Sequence, residues 1–229
     1  MKYSHIKRGI FISRPNRFIA NVEVDGTVKV CHVKNTGRCR ELLIPGVTVI
    51  LEHSDNPTRR TEYDLIAVYK DDTLINIDSQ APNKVFGEWI SQSGFFKSST
   101  LIKPEYKYGS SRFDFYIEAD GKKIFAEIKG VTLEKEGVLL FPDAPTERGV
   151  KHVTELVEAK KNGYDTYIFF IVQMKKCKYF TPNRETHPEF ADALTEAQKR
   201  GVGIFALTCN VTDDSLEIDD FVDVSLSEI

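Results

Sequence analysis

Three ionisable residues fall close together in "FDFYIEADGKKIFAEIKG", residues 113–130: Asp114, Glu127 and Lys129. Two carboxylates at one place supply the hard oxygen ligands that Mg²⁺ or Mn²⁺ prefers, and leave positions for water and a substrate phosphate. Such an ion polarises a phosphoryl oxygen and helps to generate hydroxide. A lysine beside it stabilises the negative charge that builds at phosphorus. The chemistry suggested is hydrolysis of a phosphodiester.

The positioning elements are legible around these residues. Phe113, Phe115 and Ile117 alternate with polar neighbours, which predicts a half-buried strand. Asp120-Gly121 is a hairpin turn dipeptide. Ile124, Ala126 and Ile128 carry the alternation into a second strand, so Glu127 and Lys129 share a face while Asp114 starts the first strand. Alone, Asp-x12-Glu-x-Lys is a short pattern, and arrays of Glu and Lys also occur on solvated sheet faces. Downstream, "FPDAPTERGVKHVTEL" (141–156) leads into a helix expected from about 145 to 162 and ended by Gly163. A helical wheel sets Arg148, His152 and Glu155 on one stripe, opposite Val150, Val153 and Val157. The functional reading packs the valines and turns Arg148 and His152 toward a phosphate beside the carboxylates. The alternative is an exposed face with i,i+4 pairs.

The chain of 229 residues is 41% hydrophobic and 28% charged, as in ordinary soluble proteins. Its longest apolar run, "YIFFIVQM" (167–174), is strand-sized, so no membrane span is expected. The beginning of the sequence lacks the pattern of a signal peptide. Cys31, Cys39, Cys177 and Cys209 form no C-x-x-C pair and lack zinc-site spacing, which suggests buried thiols in a cytoplasmic protein. Net charge is only −3, yet residues 1–40 hold nine Lys and Arg against two acids, while residues 210–229 hold seven acids and neither Lys nor Arg. A basic region of this kind meets either an anion or only solvent.

Residues 8–78 read as all-β. The strand candidates are "GIFISR", "RFIANVEV", "VKVCHVKN", "VTVILEHS", "YDLIAVYK" and "TLINIDS", with turns at Asp25-Gly26, Asn35-Thr36-Gly37, Pro45-Gly46 and Asp71-Asp72. Short, even spacing predicts a small barrel of OB type, with an SH3-like barrel as the alternative. "GRCRELLIPG" (37–46) reads as a helical or coiled connection within it. "APNKVFGEWISQSGFF" (81–96) has helical spacing, and the boundary is placed at residue 82. Beyond it, strands alternate with helices, including "YDTYIFFIVQ", "HPEFADALTEAQKRG" and "VGIFALTCNVT". The expected fold is therefore α/β (α+β): an OB-like barrel over 1–82 that binds nucleic acid, followed by a mixed-sheet domain over 83–229. In a barrel of this kind, Arg38 and Arg40 are the leading candidates for contact with a sugar-phosphate backbone, with Arg14, Arg17 and Phe18 beside them.

The Asp114, Glu127 and Lys129 arrangement resembles the PD-(D/E)xK signature of the restriction-endonuclease-like fold, with Phe113 in place of the proline. "HVKNTGRCRELL" (32–43), "SRFDF" (111–115), "EIKGVTL" (127–133) and "FPDAPTERGVKHVTEL" (141–156) together resemble the sugar fermentation stimulation protein A family, from about residue 8 to the end. The resemblance implies an OB-like domain, a PD-(D/E)xK nuclease-like domain, and an association with DNA binding and with the regulation of maltose use. It matches Asp114, Glu127 and Lys129 to the nuclease core and Arg148 and His152 to its downstream helix. In "RETHPEF", His187 stands where an aspartate is expected. Two functions follow: a nuclease dependent on Mg²⁺ or Mn²⁺, or a DNA-binding regulator on a nuclease scaffold. Three convergent ionisable groups favour chemistry, since a pure binder has no need to desolvate them. No helix-turn-helix pattern supports a conventional repressor, and no glycine-rich phosphate loop supports a sugar-metabolising enzyme.

Overall fold

The computed structural model describes residues 1–35, 37–109 and 111–226. Thr36, in the predicted 35–37 turn, and Glu228, in the acidic tail, lie outside the described residues. The first strands are β1 (Ile6–Asn16), β2 (Ile19–Val24), β3 (Thr27–Val33), β4 (Thr48–His53), β5 (Tyr63–Lys70) and β6 (Thr73–Asn76). Their hydrogen-bonded order is β3-β2-β1-β4-β5-β6. Cys31–Val33 of β3 also pair in parallel with Tyr63–Leu65 of β5, which closes β1 to β5 into a barrel. Asp25, with φ 50, and Gly26, with φ 75, make the left-handed turn that joins β2 to β3. Inward-facing Phe11, Ala20, Val22, Cys31, Val49 and Leu65 fill the interior.

Segment 37–46 contains no helix. It is irregular, with the Leu42 and Leu43 amides both bonded to the Cys39 carbonyl. Those two bonds make one helix-type turn that is not continued into a helix, and both leucines are buried, so this connection plugs the barrel by side-chain packing.

The second half begins with α1 (Ala81–Gln92) and continues through β7 (Ser99–Tyr108), β8 (Ser111–Ala119), β9 (Lys122–Val131), β10 (Leu133–Lys135) and β11 (Val138–Phe141). Then come α2 (Glu147–Lys161), β12 (Asp165–Val172), β13 (Tyr179–Pro182), α3 (Pro188–Lys199), β14 (Gly203–Val211) and β15 (Leu216–Val222). The main sheet has the order β15-β14-β12-β9-β8-β7, with β9, β12 and β14 mutually parallel. A smaller sheet joins β10, β11 and β13. Val85, Phe86 and Ile90 of α1 pack on one face of the main sheet with Phe115, Ile124 and Phe169. Val153 and Leu156 of α2, with Phe190 and Leu194 of α3, cover the other face over Phe125, Ile168 and Phe170. The hairpin β8–β9 is thus covered on both faces, where alternation alone predicted one.

Two joints, among others, tie the halves together. Lys2 bridges to Ser215, and the Tyr3 amide donates to the Asp214 carbonyl at 2.8 Å, so the first residues extend the main sheet. Buried Gln173, just past β12, donates through Nε2 to Asn76 Oδ1 at 2.8 Å and to the Asp78 carbonyl at 3.1 Å. Its own carbonyl accepts from the Asn76 amide at 2.9 Å. A buried amide left unpaired costs about 1–3 kcal/mol, so this joint holds the end of the barrel in register with the end of the sheet.

Candidate active site

Asp120 (φ 52) and Gly121 (φ 73) form the two-residue turn of the β8–β9 hairpin, which starts pairing at Ala119–Lys122 and ends at Phe115–Ala126. One step further, Asp114 lies opposite Glu127. There the backbone ladder gives way to a side chain, and Asp114 Oδ2 accepts from the Ile128 amide at 2.8 Å. The β7–β8 ladder also skips this point, beside Glu105 at φ 54. The strand is irregular here. Phe113 packs on Phe125 under α2 at 4.8 Å between ring centroids, while Phe115 packs on Phe86 of α1 at 5.1 Å. The regular alternation expected for residues 113, 115 and 117 therefore breaks at Asp114.

The two carboxylates differ in how they are held. Asp114 Oδ1 accepts from Asn83 Nδ2 of α1 at 2.8 Å. Burial, and then the charge of Glu127, push the Asp114 carboxyl above its ordinary range. Glu127 is 1% exposed and faces α2. Its Oε1 accepts from Lys129 Nζ at 2.6 Å and also from His152 Nδ1. Burial pushes Glu127 up, but the His152 hydrogen bond and the Lys129 charge outweigh it and hold the carboxyl below its usual range. Glu127 Oε2 is buried without a partner among the described residues. A bare anionic oxygen in a dry site is costly, and a bound cation removes that cost. Gly130 follows Lys129 because a side chain has no room there: a Cβ would stand 2.7 Å from Gln173 Oε1 and 2.8 Å from Pro82 Cγ.

Helix α2 departs from its predicted orientation. The inward stripe is Gly149, His152, Val153, Leu156 and Ala159, so His152 is buried beside Val153 and does not stand opposite it. Leu156 and Ala159 set that stripe by burial. Arg148 is exposed, and its Nε donates to His152 Nε2 at 3.4 Å. With Arg148 at Nε2, the Nδ1 side of the ring is the one turned to Glu127. Glu155 accepts from Ser111 Oγ at 2.6 Å. Thr146 caps the helix, with its Oγ1 accepting from the Gly149 amide at 3.0 Å. The Thr146 amide in turn donates to His187 Nδ1 at 3.3 Å, so His187 accepts at this point as a carboxylate would.

The basic residues of the barrel divide by role. Arg14 donates to the carbonyls of Arg38 (2.6 Å), Arg17 (2.8 Å) and Asn35 (2.6 Å), which clamps the 35–40 loop. Arg17 lies over the Phe18 ring at 4.8 Å, and Phe18 is 45% exposed. Arg38 and Arg40 are exposed, and neither pairs with Glu41 or another acid among the described residues. With Arg14 and Arg17 they line a cleft of about 310 Å³. No three of His, Cys, Asp and Glu gather into a metal-ligand set among the described residues.

Two family models match the chain: the sugar fermentation stimulation protein RE domain over residues 80–215 and the SfsA N-terminal OB domain over residues 12–77. The chain belongs to the sugar fermentation stimulation protein family. A sugar fermentation stimulation protein homolog of Desulfitobacterium hafniense (strain DSM 10664 / DCB-2) is 61% identical over 100% of both chains. Another, of Clostridium beijerinckii, is 58% identical over 99% of this chain and 100% of its own. Among solved structures, Pyrococcus furiosus SfsA, described in complex with Ca²⁺, superimposes with a TM-score of 0.89 at 28% identity over 98% of each chain. The OB-domain match decides between the two barrel types that the sequence left open. This chain therefore combines an OB barrel with a mixed-sheet domain. No helix among the described residues is long and apolar enough to cross a membrane.

Proposed function

We propose that this protein binds DNA and hydrolyses its phosphodiester bonds at the Asp114–Glu127 end of the sheet, with Mg²⁺ or Mn²⁺ as cofactor. The observation that carries this reading is the pair of carboxylates at one end of the hairpin: buried Glu127 keeps one oxygen bare, and half-buried Asp114 beside it is raised by desolvation. Two carboxylates shifted in opposite directions by their surroundings, side by side, are a candidate functional site. Mg²⁺ commonly uses only one or two protein carboxylates and fills its other positions with water and substrate phosphate, so Asp114 and Glu127 suffice as the protein's ligands. Ca²⁺ binding by the Pyrococcus relative supports a hard-cation site in this protein. When bound, the ion would polarise the scissile phosphate and lower the pKa of its water.

The protein's own residues do the rest. Lys129 places an ammonium on the face shared with Glu127 and stabilises charge building on phosphorus. Arg148 and His152 form a donor chain that ends on Glu127, fixing its carboxylate while Arg148 stays exposed to a phosphate. Arg38, Arg40 and the Arg17–Phe18 pair hold the strand away from the chemistry. The free cysteines Cys31, Cys39, Cys177 and Cys209 suit a cytoplasmic protein. The test is incubation of plasmid, linear duplex and single-stranded DNA with Mg²⁺ or Mn²⁺, comparing wild type with Lys129→Ala. Metal-dependent cleavage by wild type, lost in the variant, is the expected result. Wild-type protein inert on every form with both ions would make it a DNA-binding regulator on a nuclease scaffold.

A further inference from the structure

A second cleft, of about 370 Å³, begins one residue beyond Lys129. Its floor is Gly130, Thr132 and Gln173. One wall is the 141–146 loop, and the other is Asn35 and Gly37 of the barrel loop. Gly37 also lines the arginine cleft, so the two clefts adjoin. Their chemistry differs. Arg38 and Arg40 suit phosphates. The second cleft carries amides, hydroxyls and apolar groups, and its one charged lining residue among the described residues is the anionic Asp143, which repels a phosphate. Its volume falls in the range of small-molecule sites, ~300–1,000 Å³.

Gln173 gives the cleft a fixed polar anchor. The side chain is 2% exposed, and both protons of its amide nitrogen are directed to Asn76 and Asp78. Its Oε1 is therefore turned the other way, beside Gly130, and accepts no hydrogen bond among the described residues. A preoriented acceptor in a neutral, partly apolar cleft, next to an arginine track, matches a nucleobase whose phosphates lie outside. A base inside a duplex is stacked and paired, so it reaches an enclosed site only when extruded or already unpaired.

We infer that the cleft between the barrel loop and the 141–146 loop takes one unpaired nucleobase, and that the preferred substrate is single-stranded DNA or an unpaired strand end. This rests on the nuclease reading for the position of the scissile phosphate, but its test reads binding alone. Fluorescence anisotropy in EDTA compares a single-stranded oligonucleotide with the same sequence as a blunt duplex. The single strand is expected to bind about tenfold more tightly, the scale of one well-held base. Thr132→Trp fills the cleft from its floor and Ala144→Trp from its wall, so one poorly folding variant does not decide the outcome. Each should lower single-strand affinity about tenfold and leave the duplex within about twofold. Equal wild-type affinity for both forms overturns the inference. So does single-strand affinity unchanged in both variants, or a loss shared equally by the duplex. A failed nuclease assay leaves this result standing, and a failed cleft leaves the nuclease reading standing.

Discussion

Arg38 and Arg40 stand exposed on the barrel with no acidic partner among the described residues, whereas Glu127 is enclosed in the sheet and bonded twice through one oxygen. Solvated guanidinium groups need no support from the fold and meet any phosphate with little specificity. An enclosed carboxylate is held only by preorganised partners, and its cost falls on stability. The comparison teaches that affinity and chemistry are built from differently housed charges, so substitutions in the two regions should fail in different ways.

The largest expected effect is on stability. Glu127→Gln leaves Lys129 and His152 without their shared anion and should cost about 3–5 kcal/mol in urea unfolding at neutral pH. Because the Glu127 carboxyl is held below its ordinary range, its contribution is complete above the usual carboxylate pKa and fades as pH falls. The gap between variant and wild type should therefore narrow below about pH 4. A gap that widens on acidification would break the assignment. Next comes Lys129→Ala, which should lower cleavage by about 10²–10³ while DNA affinity stays within a few fold. Parallel loss of binding in an anisotropy titration would merge the two regions into one.

Smaller effects sharpen the contrast. Arg38→Ala combined with Arg40→Ala should weaken binding uniformly across sequences and reduce the salt-dependence slope by about 2, with unfolding unchanged. An unaltered slope would remove both arginines from the binding surface. Last is Asp114→Asn. The Asp114 carboxyl is raised by burial and by Glu127, so the folded state favours its protonated form and loses stability as pH rises. The amide should raise the metal-free Tm at pH 7 by about 2–4 °C, with less gain at pH 5. It should also abolish the Tm increase that Mg²⁺ or Mn²⁺ gives the wild type. A lower metal-free Tm would show that the Asn83 and Ile128 bonds outweigh the desolvation.

Much of the barrel was legible because turn dipeptides such as Asp25-Gly26 and Asp71-Asp72 mark where each strand must reverse. The hairpin with Glu127 and Lys129 on one face was legible for the same reason. Strand β13 was missed because four residues carry too little pattern, and β15 because its acids hide the alternation of Leu216 and Ile218. Asn83 was invisible as a support for Asp114: nothing local distinguishes it from any other polar residue in the first turn of a helix, and its partner is 31 positions away. The burial of His152 was misjudged because a helical wheel shows which residues share a side, but only packing chooses the side that turns inward.

The attachment of Lys2 and Tyr3 to Ser215 and Asp214 has a consequence for synthesis on the ribosome. Every barrel strand lies within residues 6–76, so the barrel can close early as the chain emerges. The residues ahead of it settle in two stages. Asn76 Nδ2 donates to the Tyr3 hydroxyl at 2.9 Å and the Ser4 amide donates to Glu52 Oε1 at 3.1 Å, so these partners are present once the barrel strands are made. The backbone partners of Lys2 and Tyr3 are made about 210 residues later, roughly 10–40 s at ~5–20 residues per second. The leading segment is therefore moored to the barrel first, and its seam with Asp214 and Ser215 is sewn only after those residues emerge.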